Sequence, residues 1–369
     1  MSRLERREFL RSAAGTGLTL GATGWLAPRP ARAARATRKI KVGQIGVGHA
    51  HAGGKMATFR KLSDEFEVVG VVEPSEAIRK KWQDHPIYRD LPWLCTEQLL
   101  NTKGLEAVAV ETGVGNLLST AGQCIAAGMH IHLDKPAGES LSHFRRVLDE
   151  ATRRGLAVQM GYMYRNNPAF QFCFQAVRNG WLGRITEVHG VMSKLIGPEA
   201  RKPLLPYAGG TMFELGCHLI DPLVTVQGKP ERIAPVARRS HPEIDNLADT
   251  QLAVFEYPQA IATIRATVVE AEGGRRRQFV VAGDEGTVSI LPLEPPRLTL
   301  ALIEPRDKFA RGYHEVPLPP MPGRYDEQLR ELACIARGEM ENPYTPQHDL
   351  AVQEAILLAS GLPLMPAEP

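Results

Sequence analysis

A chain of 369 residues, 43% hydrophobic and 23% charged, is long enough for two buried cores and too ordinary in composition to be disordered or fibrous. No run reaches the roughly 18 apolar residues of a stable membrane span. The net charge of +3 is concentrated at the start: residues 1–33 hold six arginines against two glutamates, so the remainder is slightly negative and has no general attraction for nucleic acid. Five scattered cysteines without a CxxC exclude a disulfide framework and a cysteine zinc site.

Arg6-Arg7-Glu8-Phe9-Leu10-Arg11 resembles the twin-arginine export consensus, S/T-R-R-x-F-L-K, with Glu5 departing at its first position. A mildly apolar stretch, Ser12 to Ala27, follows, and Ala31-Arg32-Ala33 reads as a cleavage site. Residues 1–33 are therefore expected to be a signal, and the mature protein to be periplasmic or otherwise extracytoplasmic. Twin-arginine export moves folded proteins, so a cofactor would be loaded in the cytosol and held tightly.

Residues 38–155 read as a dinucleotide-binding domain. A buried strand, Lys39 to Ile45, runs into Gly46-Val47-Gly48; a helix from Ala52 to Leu62 and a second strand, Phe66 to Val72, end at Glu73. Gly46 allows the tight turn, Gly48 lets the backbone approach a pyrophosphate, and Glu73 stands where it can accept from a ribose hydroxyl. That acid favours NAD; Ser75 and Arg79 close behind it keep NADP possible. His51 occupies the place of the third glycine. Strands at Leu105 to Val110, Met129 to Leu133 and Leu156 to Met160 alternate with helices at Asn116 to Ala127 and Ser140 to Arg154, which implies a parallel sheet. Glu73, Thr112 and Lys135 fall at carboxyl ends of strands, where such sheets bind ligands.

From about residue 184 the pattern changes to consecutive strands: Ile185 to Leu195, Thr250 to Tyr257, Ala260 to Val269, Arg277 to Ala282 and Thr287 to Leu291, with turns at Pro258-Gln259 and Asp284-Glu285-Gly286. Residues 156–362 are expected to form an α+β domain with a large, mostly antiparallel sheet backed by helices. Positions 317–322 read as a proline-rich connector.

Four stretches together resemble the glucose–fructose oxidoreductase/inositol dehydrogenase (Gfo/Idh/MocA) family over about residues 38–362. They are the glycine turn with its acid, Gly128 to Pro136 (similar to "GKHVLCEKP", with Asp134 for Glu), Gly209 to Asp221 (similar to "GGGxxxDxGxHxxD", with Glu214 for Asp), and the two closing helices, Tyr325 to Arg337 and Thr345 to Ser360. The resemblance implies that Lys135 reaches nicotinamide ribose and substrate hydroxyl. It implies that His218 transfers the proton, that Glu214 is the acid one turn before it, and that Tyr162 and Arg165 line the substrate pocket. It also implies that the outer face of the second sheet pairs subunits into a homo-oligomer. Cofactor-binding roles fall on Gly46, Gly48, His49, Glu73, Thr112 and Lys135. Gly113, Val114 and Leu117 depart from the family pattern at the nicotinamide end.

The residue types suit that chemistry. Removing hydride from a secondary alcohol requires its hydroxyl proton to leave as well, and histidine titrates in the useful range. Glu214 and His218, spaced i, i+4, would share one face of an α-helix, where the carboxylate could orient the imidazole. Asp221 is placed at the site rim, and Lys135 would face the oxygen that becomes alkoxide-like. The blander readings are a surface lysine, a core histidine, a Glu214 paired with an arginine, and loop aromatics that merely pack. The pairs His49/His51 and His130/His132 suggest metal ligands, but no third and fourth donors stand at supporting spacing, so no metal is expected. The leading function is an NAD(P)-dependent oxidoreductase acting on a sugar or polyol. One alternative is a glycoside hydrolase or lyase that oxidises its sugar transiently; another is a non-catalytic dinucleotide-binding protein.

Overall fold

The computed structural model describes residues 38–321 and 323–364. The expected export signal at residues 1–33 and position 322 of the proline-rich connector lie outside the described residues. No helix among the described residues is long and apolar enough to cross a membrane.

The first layer grows from short apolar strands whose carboxyl ends all point one way. These are β1 (Ile40–Ile45), β2 (Phe66–Val72), β3 (Trp93–Leu94), β4 (Leu105–Val110), β5 (His130–Leu133) and β6 (Val158–Met160). They form a parallel sheet in the order β3-β2-β1-β4-β5-β6. Ala107 to Val110 of the central β4 have no exposed surface, as a parallel strand covered on both faces requires. Helices α1 (Ala52–Lys61), α2 (Glu76–Trp82), α3 (Thr96–Leu100), α4 (Val114–Ala126) and α5 (Leu141–Arg153) make the crossovers. Ser75 and Ser140 cap α2 and α5 by accepting from Ile78 N–H and His143 N–H. The sheet continues through β6, past the expected domain boundary at 155, because β6 pairs in parallel with β5.

After α6 (Pro168–Arg178) the chain enters β7 (Ile185–Ser193), then α7 (Cys217–Gln227), then β8 (Arg232–Arg238), β9 (Thr250–Glu256), β10 (Ile261–Thr267), β11 (Gln278–Gly283), β12 (Gly286–Leu293), β13 (Pro296–Leu302) and β14 (Gly312–Val316). Their order is β14-β13-β12-β11-β7-β10-β9-β8. Only the β7–β10 pair is parallel; the others run antiparallel. The period-2 alternation decides the two faces. Ala253, Phe255, Ala262 and Ile264 point into the core, whereas Val236, Leu252 and Ile261 stand exposed on the other side.

The chain closes with α8 (Asp326–Ala336) and α9 (Pro346–Ala359), which fasten the halves together. Gln328 Nε2 donates to the carbonyls of Met160 and Tyr162. Gln353 Oε1 accepts from Ala137 N–H at 3.1 Å and its Nε2 donates to Gly138 O at 2.5 Å. Both glutamines are buried, so Gln353 holds the loop after β5 and Gln328 the end of β6 from the interior.

The turn after β1 has no room for a side chain at its first glycine. Gly46 has φ +96°, and a Cβ there would lie 2.4 Å from the Glu111 carbonyl oxygen. At Gly48 an added Cβ would meet only Ile78 side-chain carbons, at 3.1 Å and beyond. Gly46→Ala should therefore cost about 1–3 kcal/mol and Gly48→Ala less, read from denaturant-unfolding midpoints. Equal losses at the two positions would contradict this account of the turn.

Candidate active site

The glycine turn and the acid after β2 are welded to each other. Gly46 N–H donates to Val72 O at 2.8 Å. Glu73 Oε2 accepts from Val47 N–H and its Oε1 from Ser75 N–H, both at 2.9 Å. The carboxylate thus fixes the turn and the start of α2 together while it faces a cleft of about 750 Å³. Gly48, His49, Ser75, Glu111, Thr112 and Glu214 also line that cleft. Arg79 is engaged elsewhere, its guanidinium 5.4 Å from the Trp93 ring centre.

Lys135, the residue that follows Asp134 at the end of β5, has no exposed surface. Its ammonium donates to the Glu214 carbonyl at 2.8 Å and to Glu214 Oε1 at 3.0 Å. Burial works against the charge, but the Glu214 carboxylate outweighs it and holds the lysine protonated above its usual range. Burial likewise opposes ionisation of Glu214, whose pKa the ammonium of Lys135 nevertheless lowers.

The expected α-helical face shared by Glu214 and His218 is not what the chain forms. Residues Met212–Gly216 make a π-helical turn before α7 begins at Cys217, and the Glu214 carboxylate turns to Lys135 instead of to the imidazole. The wide turn has local causes. Gly210 takes φ +58° where a Cβ would meet the Ala248 carbonyl at 2.7 Å. Buried Gln251 Oε1 then accepts from Met212 N–H at 2.7 Å and from Thr211 Oγ1 at 3.0 Å, capping the entry.

His218 is buried, and its Nδ1 has no hydrogen-bond partner among the described residues. Burial first, and then the charge of Lys135, push its pKa far below the ordinary histidine range, so the ring is neutral. It lies 6.1 Å, centre to centre, from His51, which lies 5.0 Å from His49.

Behind these rings sits a cluster that the sequence reading did not assemble. Lys55 of α1, fully buried, donates to Glu111 Oε1 at 2.9 Å and to Asp134 Oδ1 at 2.8 Å. His51 Nδ1 is 3.2 Å from the same Asp134 oxygen, and His49 Nδ1 is 2.5 Å from Asp134 Oδ2. Burial, then the neighbouring Asp134, push Glu111 up to about 7. A third donor therefore does stand beside the His49/His51 pair, contrary to the ground on which a metal was excluded. A signal for Lys55 was present: it falls on the buried stripe Ala52, Lys55, Met56, Phe59 of α1, where an unpaired lysine is not tolerated.

Tyr162, Arg165 and Asp221 are brought together, but as an internal ion cluster and not as the expected pocket wall and rim. Arg165 Nε and Nη2 donate to Asp221 Oδ1 at 3.0 and 2.6 Å, and Nη2 donates also to Asp349 Oδ1 at 2.5 Å. The guanidinium lies 3.7 Å from the Tyr344 ring centre and 5.1 Å from that of Tyr162. Arginine, tyrosine and both aspartates are buried. They join the segment after β6, α7 and α9.

A glycine turn at the switch point of a parallel sheet, with a charged cleft between it and an antiparallel sheet, defines a two-domain dinucleotide-binding oxidoreductase. A model of the NAD-binding Rossmann-fold oxidoreductase family matches residues 40–162, and a model of the GFO/IDH/MocA C-terminal domain matches residues 170–289. The chain belongs to the GFO/IDH/MocA family. It is 26% identical over 281 residues to the pig trans-1,2-dihydrobenzene-1,2-diol dehydrogenase, covering 72% of this chain and 78% of that one. Among solved structures it is similar to UDP-N-acetylglucosamine 3-dehydrogenase from Acidithiobacillus ferrooxidans (TM-score 0.72, 17% identity, 89% of this chain and 99% of that one). It is also similar to a protein from Desulfitobacterium hafniense (TM-score 0.73, 19% identity, 88% and 95%). At these identities the structural likeness speaks for the fold alone.

Because Arg165 neutralises two buried carboxylates, Arg165→Met should strand both and cost about 3–5 kcal/mol of stability. Calorimetric or denaturant melts measure this; a variant as stable as the parent would contradict the structural assignment of Arg165.

Proposed function

We propose that this protein is an NAD-dependent dehydrogenase that moves hydride to or from a secondary-alcohol carbon of a sugar or polyol, with its cofactor held tightly. The observation that carries the reading is a pair of buried groups of opposite protonation. Lys135 is fixed as a cation on Glu214, which lines the glycine-turn cleft, and His218 is kept neutral with Nδ1 unengaged four residues further on. The name of a sequence relative, a diol dehydrogenase, is consistent with an alcohol carbon as the reacting centre.

The residues present fit a dinucleotide. Gly48 and Glu73 line the cleft, and Thr112 Oγ1 and Glu111 Oε2 are buried polar atoms without a hydrogen-bond partner among the described residues. When bound, NAD supplies a hydride acceptor or donor at its nicotinamide ring. Glu73 would accept from the adenosine ribose, and the N–H groups of Gly48 and His49, past those that bond Val72 and Glu73, would face the pyrophosphate. On the substrate side, neutral His218 accepts the hydroxyl proton as the carbon–hydrogen bond is broken. The Lys135 ammonium stabilises the oxygen as negative charge builds on it, in a site where burial keeps water from screening the interaction. With Arg79 held on Trp93 and a carboxylate at the ribose position, a 2′-phosphate would meet repulsion without a compensating cation, which favours NAD over NADP. We further propose export by the twin-arginine route. Pairing of subunits through the outer sheet face is supported by the exposure of Val236, Leu252, Ile261 and Tyr313.

The test is a screen of cyclic diols, sugars and polyols for reduction of NAD, followed by variants on the substrate found. Lys135→Met and His218→Asn should each lower kcat by about 100-fold or more, with NADH binding by fluorescence titration changed by less than about threefold for His218→Asn. Full turnover in both variants would overturn the assignment. In binding titrations NAD should be preferred over NADP, and Glu73→Ala should erase most of that preference; an unchanged ratio would contradict the role given to Glu73.

A further inference from the structure

We propose that His49, His51 and Asp134 bind a divalent transition-metal ion of the zinc class at the floor of the cleft. This site is independent of the hydride-transfer reading. One ring nitrogen of each histidine and a carboxylate oxygen of Asp134 all lie within 4.8 Å of one another. Two imidazoles and a carboxylate are a donor set that first-row divalent ions favour, with bonds of about 2.0–2.2 Å. Donors bound to one such ion stand about 3 Å apart; Asp134 Oδ2 lies 3.3 Å from His51 Nδ1, and its 2.5 Å separation from His49 Nδ1 needs to open by under about 1 Å.

Two further observations point to an ion and not to mutual hydrogen bonding. The His49 Nδ1, although close to the carboxylate, is a buried atom with no aligned hydrogen bond; its ring does not point at the oxygen beside it. The surroundings of Asp134 are also those of a ligand held in place from behind. Lys55 donates to one carboxylate oxygen and is itself anchored by Glu111, which leaves the other oxygen turned to the imidazoles, as outer partners of ligating carboxylates do. His49 lines the cleft, so three protein donors would leave a coordination position facing it, the arrangement of an ion that meets a ligand and not of a purely structural one.

The experiment uses the full chain, freed of metal by dialysis against a chelator and then titrated with Zn²⁺ or Co²⁺. The expected result is one equivalent bound per chain by elemental analysis, a rise in Tm with Zn²⁺, and ligand-field absorption bands with Co²⁺. All three should be lost in His49→Gln and in His51→Gln, whose folding is checked by circular dichroism, and kept in His218→Asn. No stoichiometric binding at tens of micromolar metal would overturn the proposal. So would binding that survives removal of both histidines together.

Discussion

A lysine buried to zero exposure must have its charge answered, and at Lys135 the answer comes from the other half of the chain. The Glu214 carboxylate and carbonyl take its ammonium at 3.0 and 2.8 Å, so the end of β5 and the π-helical turn before α7 are held at one spacing. Removing either partner would leave an uncompensated buried charge, a loss of about 3–5 kcal/mol. Much of the neighbouring structure serves to keep this pair in register. Gln353 of α9 grips the loop after Pro136, and Gln251 of β9 caps the entry to the wide turn.

The same pair sets the electrostatics of the cleft. Its ammonium, together with burial, keeps His218 neutral, so a proton acceptor and a fixed cation stand near each other without quenching one another. A second buried lysine, Lys55, sits between Glu111 and Asp134, and it turns Asp134 toward the two turn histidines. Two lysines with three carboxylates, none of them well exposed, are an expensive arrangement for stability alone. They are understandable where a reaction or an ion needs preset charge. By contrast, Arg165 with Asp221 and Asp349 is buried and binds three segments of the interior.

Much of this was legible in the chain. Strand, glycine turn, helix, strand and acid fix the first domain because each step has its own local cause, and Lys135 at a strand end is the natural product of a parallel sheet. Three things were not legible. The i, i+4 spacing of Glu214 and His218 assumes 3.6 residues per turn, and the π-helical turn imposed by Gly210 and Gln251 sends the carboxylate elsewhere. Arg165 and Asp221 are polar residues in a recognisable segment, and only their long-range partners Asp349 and Tyr344 reveal that they are interior. Asp134, read as part of a motif, meets His51 across 83 residues of chain, and His49 across slightly more, a distance no local pattern carries. The edge strands β8 and β14 and the neighbouring β13 were also missed, since Pro235 and Pro296 break the strand pattern there and β14 is short and mostly exposed.

The central claim is spatial: one nicotinamide ring, bound over the glycine turn, meets both Lys135 and His218. A crystal structure of the protein with NADH tests it most directly. The account predicts the ring's reactive carbon within about 5 Å of both the Lys135 ammonium and the His218 imidazole, on the same side of the ring, so that a bound alcohol could touch all three. A ring seated away from either group, by about 10 Å or more, would contradict it.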